Sequence, residues 1–227
     1  MTIRGYLNYR LVKWLLAVGL LATVPILAAC DGETPAPTDI MTITPPLEDV
    51  SLPTLPDANL EAAIREIINK PEGPIYASDL ESLTTLDARE KDISDLTGLE
   101  YGVHLETLIL GGNNISDISA LSGLTNLDWL SLTNNKISDI SALAGLTNLL
   151  KLNLWGNNIS DISALTGLTN LIEIGLDNNS ISDISALVAN SGLSTGDFVY
   201  LGGCPLSNTS VDIYIPNLEI RGVNVLY

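Results

Sequence analysis

The chain has 227 residues, 27 of them acidic and 10 basic, for a formal net charge of −17. A surface of that sign repels nucleic-acid phosphates and anionic lipid headgroups, so neither is an expected partner. Two cysteines and one histidine leave no material for a disulfide framework or for a zinc site of the usual Cys/His spacing.

Residues 1–29 read as an export signal. Arg4, Arg10 and Lys13 precede an apolar run from Trp14 to Ala29, which ends in small residues. The run is about 16 residues, short of the ~20 that span a bilayer comfortably as a helix. An uncleaved anchor helix is the alternative. The ending Leu27-Ala28-Ala29-Cys30 resembles the lipobox of bacterial lipoproteins. That resemblance implies a lipid on Cys30, export from a bacterial cytoplasm and anchorage in the envelope. With Cys30 modified, Cys204 has no intramolecular partner and reads as a small buried apolar side chain. Every acidic residue follows Cys30, so the exported chain carries seven basic against 27 acidic residues, a net −20. Residues 30–55 are rich in proline and threonine and lack an amphipathic period, the pattern of an extended tether.

Residues 56–104 are expected to form a helical cap and a first irregular coil. Leu60, Ile64, Ile67 and Ile68 recur at helical spacing behind Asp57, an N-cap residue type. A second short helix is expected from Ser78 and Glu81, spaced as a capping box.

Residues 105–192 hold four gapless segments that begin at Leu105, Leu127, Leu149 and Leu171, each 22 residues after the last. The heptapeptide ISDISAL recurs in all four. An imperfect copy begins at Leu83, and a sixth, with a small insertion, places the strand FVYLGGCPL at Phe198. In the first full copy Leu108 and Leu110 alternate with polar or small residues, a strand with one face inward. Ile115, Ile118, Leu121 and Leu124 add apolar contacts where the chain turns back. One such coil cannot cover its own leucines, so the copies must stack. At ~4.8 Å per strand, six coils give a parallel sheet roughly 25–30 Å long.

Asn113, Asn135, Asn157 and Asn179 follow each strand, where an amide can both donate to and accept from the turning backbone in a ladder between coils. Asp117, Asp139, Asp161 and Asp183 each lie between two serines. They read as caps on backbone N–H groups, because the dense carboxylate spacing of calcium loops is missing. No metal site is expected.

The pattern LxxLxLxxNxI at this period resembles leucine-rich repeats, and the SDISALxGLTN half resembles those of the bacterial internalin class. The resemblance implies an α/β solenoid: a right-handed superhelix with a parallel concave sheet, short helical or 3-10 turns on the convex side and a helical N-terminal cap. It implies that residues 193–227 hold the last irregular repeat and a C-terminal cap, in which Cys204 stands at the ladder position of a coil with no following coil to bond. It also implies protein binding.

A specific function has to lie in the positions that repetition leaves free. These are the outward strand residues, among them Arg89, Trp129, Lys151, Asn153, Trp155, Glu173, Asp177, Phe198 and Tyr200, expected to form a concave binding face. Exposed aromatics also decorate strands without any ligand. Trp129 and Trp155 lie in adjacent strands, four residues apart, or roughly 13 Å along the strand direction. That separation suits a broad protein or glycan ligand.

Catalysis finds no support. His104 occupies the position of Asn126, Asn148 and Asn170, and no second histidine exists to activate a nucleophile. Asp87 and Glu173 lie four strands apart, roughly 19 Å, too far for a hydrolase pair. No catalytic residue and no cofactor is expected. The reading is a monomeric, envelope-anchored binding module. A structural envelope spacer without a ligand is the alternative.

Overall fold

The structure is a computed structural model that describes residues 55–227. The export signal, Cys30 and nearly all of the expected tether lie outside the described residues. No helix among the described residues is long and apolar enough to cross a membrane.

Each coil contributes one short strand, and the 22-residue period sets the register between them. The strands are β1 (Thr85–Asp87), β2 (Thr107–Ile109), β3 (Trp129–Ser131), β4 (Lys151–Asn153), β5 (Glu173–Gly175), β6 (Phe198–Tyr200) and β7 (Asn224–Leu226). They form one parallel sheet in chain order. Leu86, Leu108, Leu130, Leu152, Ile174 and Val199 pair across it as a central row, all essentially inaccessible to solvent. The sequence reading expected six strands. The seventh, β7, pairs with β6 through Phe198↔Asn224 and Tyr200↔Leu226. It escapes the repeat pattern because Gly222, Val225 and Tyr227 stand where a repeat has its three leucines.

Opposite the sheet, Ser119–Leu121, Ser141–Leu143 and Ser163–Gly167 form 3-10 turns, and Ser185–Ala189 forms a short helix, α3. Before each, an aspartate Oδ1 accepts from the backbone N–H two residues on, at 2.8 Å: Ser119 on Asp117, Ser141 on Asp139, Ser163 on Asp161 and Ser185 on Asp183. Those N–H groups would otherwise be left without a helical acceptor.

The asparagines after the strands tie each coil to the one before it. Asn135 Oδ1 accepts from Ile115 N at 3.0 Å, and its Nδ2 donates to Leu110 O at 3.0 Å and to Leu132 O at 3.1 Å. Asn157 and Asn179 repeat the arrangement one and two coils on. The residue just before each asparagine is left-handed: Gly112, Asn134, Gly156 and Asn178 have φ between 50° and 71°. Only glycine and asparagine enter that region cheaply, which explains their alternation there.

The direction of these bonds overturns the expectation for Cys204. A ladder residue serves the preceding coil, so the lack of a following one cannot explain the substitution. Cys204 instead donates its thiol to Leu176 O at 3.3 Å, the kind of carbonyl an asparagine amide serves elsewhere. Burial pushes the thiol pKa up, against smaller opposing effects from the backbone N–H groups of Asn179 and Ile181.

The N-terminal lid is α1 (Ala58–Ile67) followed by α2 (Ala77–Glu81). Asp57 Oδ1 accepts from Asn59 N and Leu60 N at 2.9 and 3.0 Å, capping α1. Its Oδ2 accepts from Ser94 N at 2.7 Å and Asp95 N at 3.1 Å, so one carboxylate clamps the lid to the first coil. Burial pushes this carboxyl up, but the four backbone N–H donors outweigh it and hold the pKa below the usual carboxylate value. Leu60, Ala63 and Ile64 face the core, whereas Ile67 is exposed, because the buried stripe of α1 runs through Ala63. The expected Ser78–Glu81 capping box is not formed. The helix begins two residues earlier, with Tyr76 as its N-cap, and Asp79 Oδ2 accepts from Tyr76 N at 2.7 Å and from Lys70 Nζ at 2.7 Å.

At the other end, α4 (Ile215–Ile220) precedes β7. Arg221 donates to the carbonyls of Val188 at 2.9 Å, of Asn190 at 2.5 Å and of Leu193, closing the insertion after α3.

Candidate binding face

Three rows of outward side chains cross the concave sheet. The first runs Thr85, Thr107, Trp129, Lys151, Glu173, Phe198, and the second runs Asp87, Ile109, Ser131, Asn153, Gly175, Tyr200. The third lies just past the strands, where Asn134 N donates to Trp155 O, Gly156 N to Asp177 O and Asn178 N to Gly202 O at 2.7–2.9 Å. Its members from the fourth coil on are therefore Trp155, Asp177 and Gly202.

These rows enclose a hollow of about 590 Å³. Trp129 and Trp155 stand at two of its sides, 44% and 40% exposed. Lys151, Asn153, Glu173, Asp177 and Tyr200 complete the wall. Gly175 and Gly202 leave the floor without side chains, and that absence is what makes the hollow. A Cβ on Gly175 would come within 2.8 Å of Asn153 Oδ1, and one on Gly202 within 2.9 Å of Asp177 Oδ1. Both polar side chains therefore lean over the neighbouring glycine.

The wall is held by its own polar contacts. Lys151 Nζ pairs with Glu173 Oε2 at 3.2 Å. Asn153 Oδ1 accepts from Trp155 N at 3.1 Å, and Asp177 Oδ1 accepts from Gly202 N at 3.0 Å. Phe198 is 42% exposed and lies outside the hollow, with its ring stacked on Tyr200 at a centroid distance of 6.2 Å. Arg89 is not part of the hollow either. Two coils before Trp129, it grips Asp87 through Nε at 2.9 Å and Nη2 at 2.7 Å. That bond is the main cause holding the Asp87 carboxyl below its usual pKa.

Sequence reasoning singled out seven of the wall residues and missed the floor. It also missed Leu150 and Ile172, exposed side by side just ahead of β4 and β5. Their signal was available: the matching positions in earlier coils are Thr84, Glu106 and Asp128, all polar. His104 is exposed near the start of the stack, and Cys204 is half-buried in the sixth coil.

Stacked coils of one period, a single parallel concave sheet, an asparagine ladder and short turns behind it define a leucine-rich repeat solenoid. The family model for leucine-rich repeats in two copies matches residues 103–145 and 147–189. Among solved structures, the chain is similar to an internalin (inlF) from Listeria monocytogenes, with 37% identity over 76% of this chain and 51% of that one, at a TM-score of 0.68. This chain thus spans about half the length of that internalin. An internalin C2 from the same organism is 26% identical over 76% of this chain and 93% of that one, at a TM-score of 0.47. A leucine-rich repeat protein from Leptospira interrogans shares the fold at 20% identity over 69% of this chain and 40% of that one, with a TM-score of 0.60. No curated protein matches the chain. Internalin-like leucine-rich repeat folds typically serve as protein-interaction modules.

Proposed function

We propose that this is an exported binding module, held to the bacterial envelope by a lipid on Cys30, that captures a protein partner on its concave sheet. The observation carrying the reading is the hollow between Trp129 and Trp155. Two large indoles open to water beside a glycine-floored depression supply the aromatic anchors on which interfaces depend. Arg89 and Phe198 extend the face on either side of the hollow. The acidic surface favours a basic partner and disfavours nucleic acid. No step of the reading calls on a cofactor, a metal or a catalytic residue.

The test is affinity capture from envelope and extracellular extracts with the full chain, alongside a variant carrying Trp129→Ala, Trp155→Ala and Tyr200→Ala. The reading expects a partner retained by the wild type and lost by the variant at unchanged melting temperature. Identical capture of a partner by both proteins refutes the concave face as the binding surface, and no specific capture by either favours a spacer role. Mass spectrometry of the native N-terminus tests the lipid: an unmodified Cys30 at the end of the processed chain excludes it.

A further inference from the structure

We infer that Trp155 and Asp177 together form a receptor for the guanidinium group of an arginine presented by the protein partner. The inference rests on the protein-binding reading above and names the chemistry at its centre.

Trp155 and Asp177 occupy the same row in adjacent coils, joined by the bond from Gly156 N to Asp177 O at 2.9 Å. Neighbouring strands are ~4.8 Å apart, so a planar cation lying on the indole face reaches the carboxylate beside it. The carboxylate is already aimed. Gly202 N holds Oδ1 at 3.0 Å, and no other hydrogen bond or ion pair to this carboxylate occurs among the described residues. The nearby cation, Lys151, is engaged with Glu173 at 3.2 Å and leaves Asp177 uncompensated. With Gly175 and Gly202 as floor, nothing fills the space in front of the pair.

This combination selects among ligands. A neutral sugar would stack on an indole but has no charge to set against Asp177. An ammonium would meet the carboxylate as a point charge, without the flat face that stacks on Trp155. A guanidinium does both, since it is planar, permanently charged and able to present two parallel N–H groups to one carboxylate. The strongly negative chain draws basic segments toward the hollow. Trp129, roughly 13 Å along the strand direction from Trp155, is placed for a second anchor about four extended residues away on the partner.

The experiment is a titration of the isotope-labelled full chain with N-acetyl-arginine amide, following the tryptophan indole N–H signals. The neutral isostere N-acetyl-citrulline amide and the neutral tetrasaccharide cellotetraose serve as competing probes. The inference expects the Trp155 signal to move with arginine, saturating in the millimolar range. The response should weaken by at least about threefold with citrulline and in Asp177→Asn. Equal responses to arginine and citrulline, larger responses to cellotetraose, or an unmoved Trp155 signal overturn it. The wild-type comparison of arginine with citrulline decides the matter even if Asp177→Asn folds poorly. In affinity capture, a partner lost by the triple alanine variant but kept by Asp177→Asn sinks this inference alone and leaves the binding face standing.

Discussion

The asparagine ladder makes a ranked prediction, because its rungs do not carry equal loads. Replacing Asn135 by alanine removes the acceptor of Ile115 N, which is buried with no other partner. The three carbonyls that Asn135 serves are not stranded, since Thr133 O, at 3.2 Å from its amide, also accepts from Gly112 N at 2.8 Å. Leu110 O still accepts from Asn113 at 2.8 Å, and Leu132 O still accepts from Asn157 at 2.9 Å. One orphaned buried N–H costs about 1–3 kcal/mol. Asn113 begins the ladder and has no such redundancy. Its Oδ1 accepts from both Lys91 N and Ile93 N at 3.0 Å, and its Nδ2 supplies the bond to the buried Ala88 carbonyl at 2.9 Å. Asn113→Ala therefore orphans Ile93 N and Ala88 O, and Lys91 N can turn to water. The expected loss is roughly 2–4 kcal/mol. Urea unfolding followed by circular dichroism measures both variants. With a slope of about 2 kcal/mol/M, Asn135→Ala lowers the midpoint by on the order of 1 M and Asn113→Ala by more. Equal losses, or the reverse order, would show that the hydrogen-bond inventory does not govern the ladder's energetics.

Further outcomes follow from the core, the lid and the last coil. Leu130→Ala, at the centre of the sheet and inaccessible to solvent, should cost about 2–5 kcal/mol in the same unfolding assay. Asp57→Ala should detach the N-terminal lid and remove part of the acid sensitivity. Because the folded pKa of Asp57 is depressed, its contribution is complete above the ordinary carboxylate range and lost as pH falls through the folded value. Wild type and variant should therefore converge in stability under acid and diverge at neutral pH, as thermal melts at several pH values will show. Cys204, its thiol pKa raised by burial, should react with iodoacetamide more slowly than a free cysteine at mildly alkaline pH, read by peptide mass spectrometry. Gly156→Val, at φ 71°, should destabilise by roughly 1–2 kcal/mol, since a β-branched residue resists the left-handed turn.

Much of the fold was legible because it is written in one dimension. Leu108, Leu130 and Leu152 announce the inward row by period alone, and four identical ISDISAL turns announce the stacking. Legibility fails where the period decays: β7 lies in residues 224–226, where Val225 takes the inward position and Gly222 stands in place of the leading leucine. It fails again in the lid, where both Ser78–Glu81 and Asp79 offered capping chemistry and only the backbone decided between them. The ladder's direction was also hidden, since an asparagine's amide looks the same from the coil above and the coil below. The hollow was half legible. Its walls are large residues that break the repeat and attract notice. Its floor is made by Gly175 and Gly202, 27 positions apart, which matter only because stacking sets them beside Asn153, Trp155 and Asp177. A depression built from missing side chains in different coils has no local signature.

Hydroxyl-radical footprinting of the full chain, alone and with its captured partner bound, tests the central claim most directly. The account predicts protection concentrated at Trp129, Trp155 and Tyr200, with the turns around Asp117, Asp139 and Asp161 unchanged. Protection confined to those turns, with the three rings still oxidised, would contradict it.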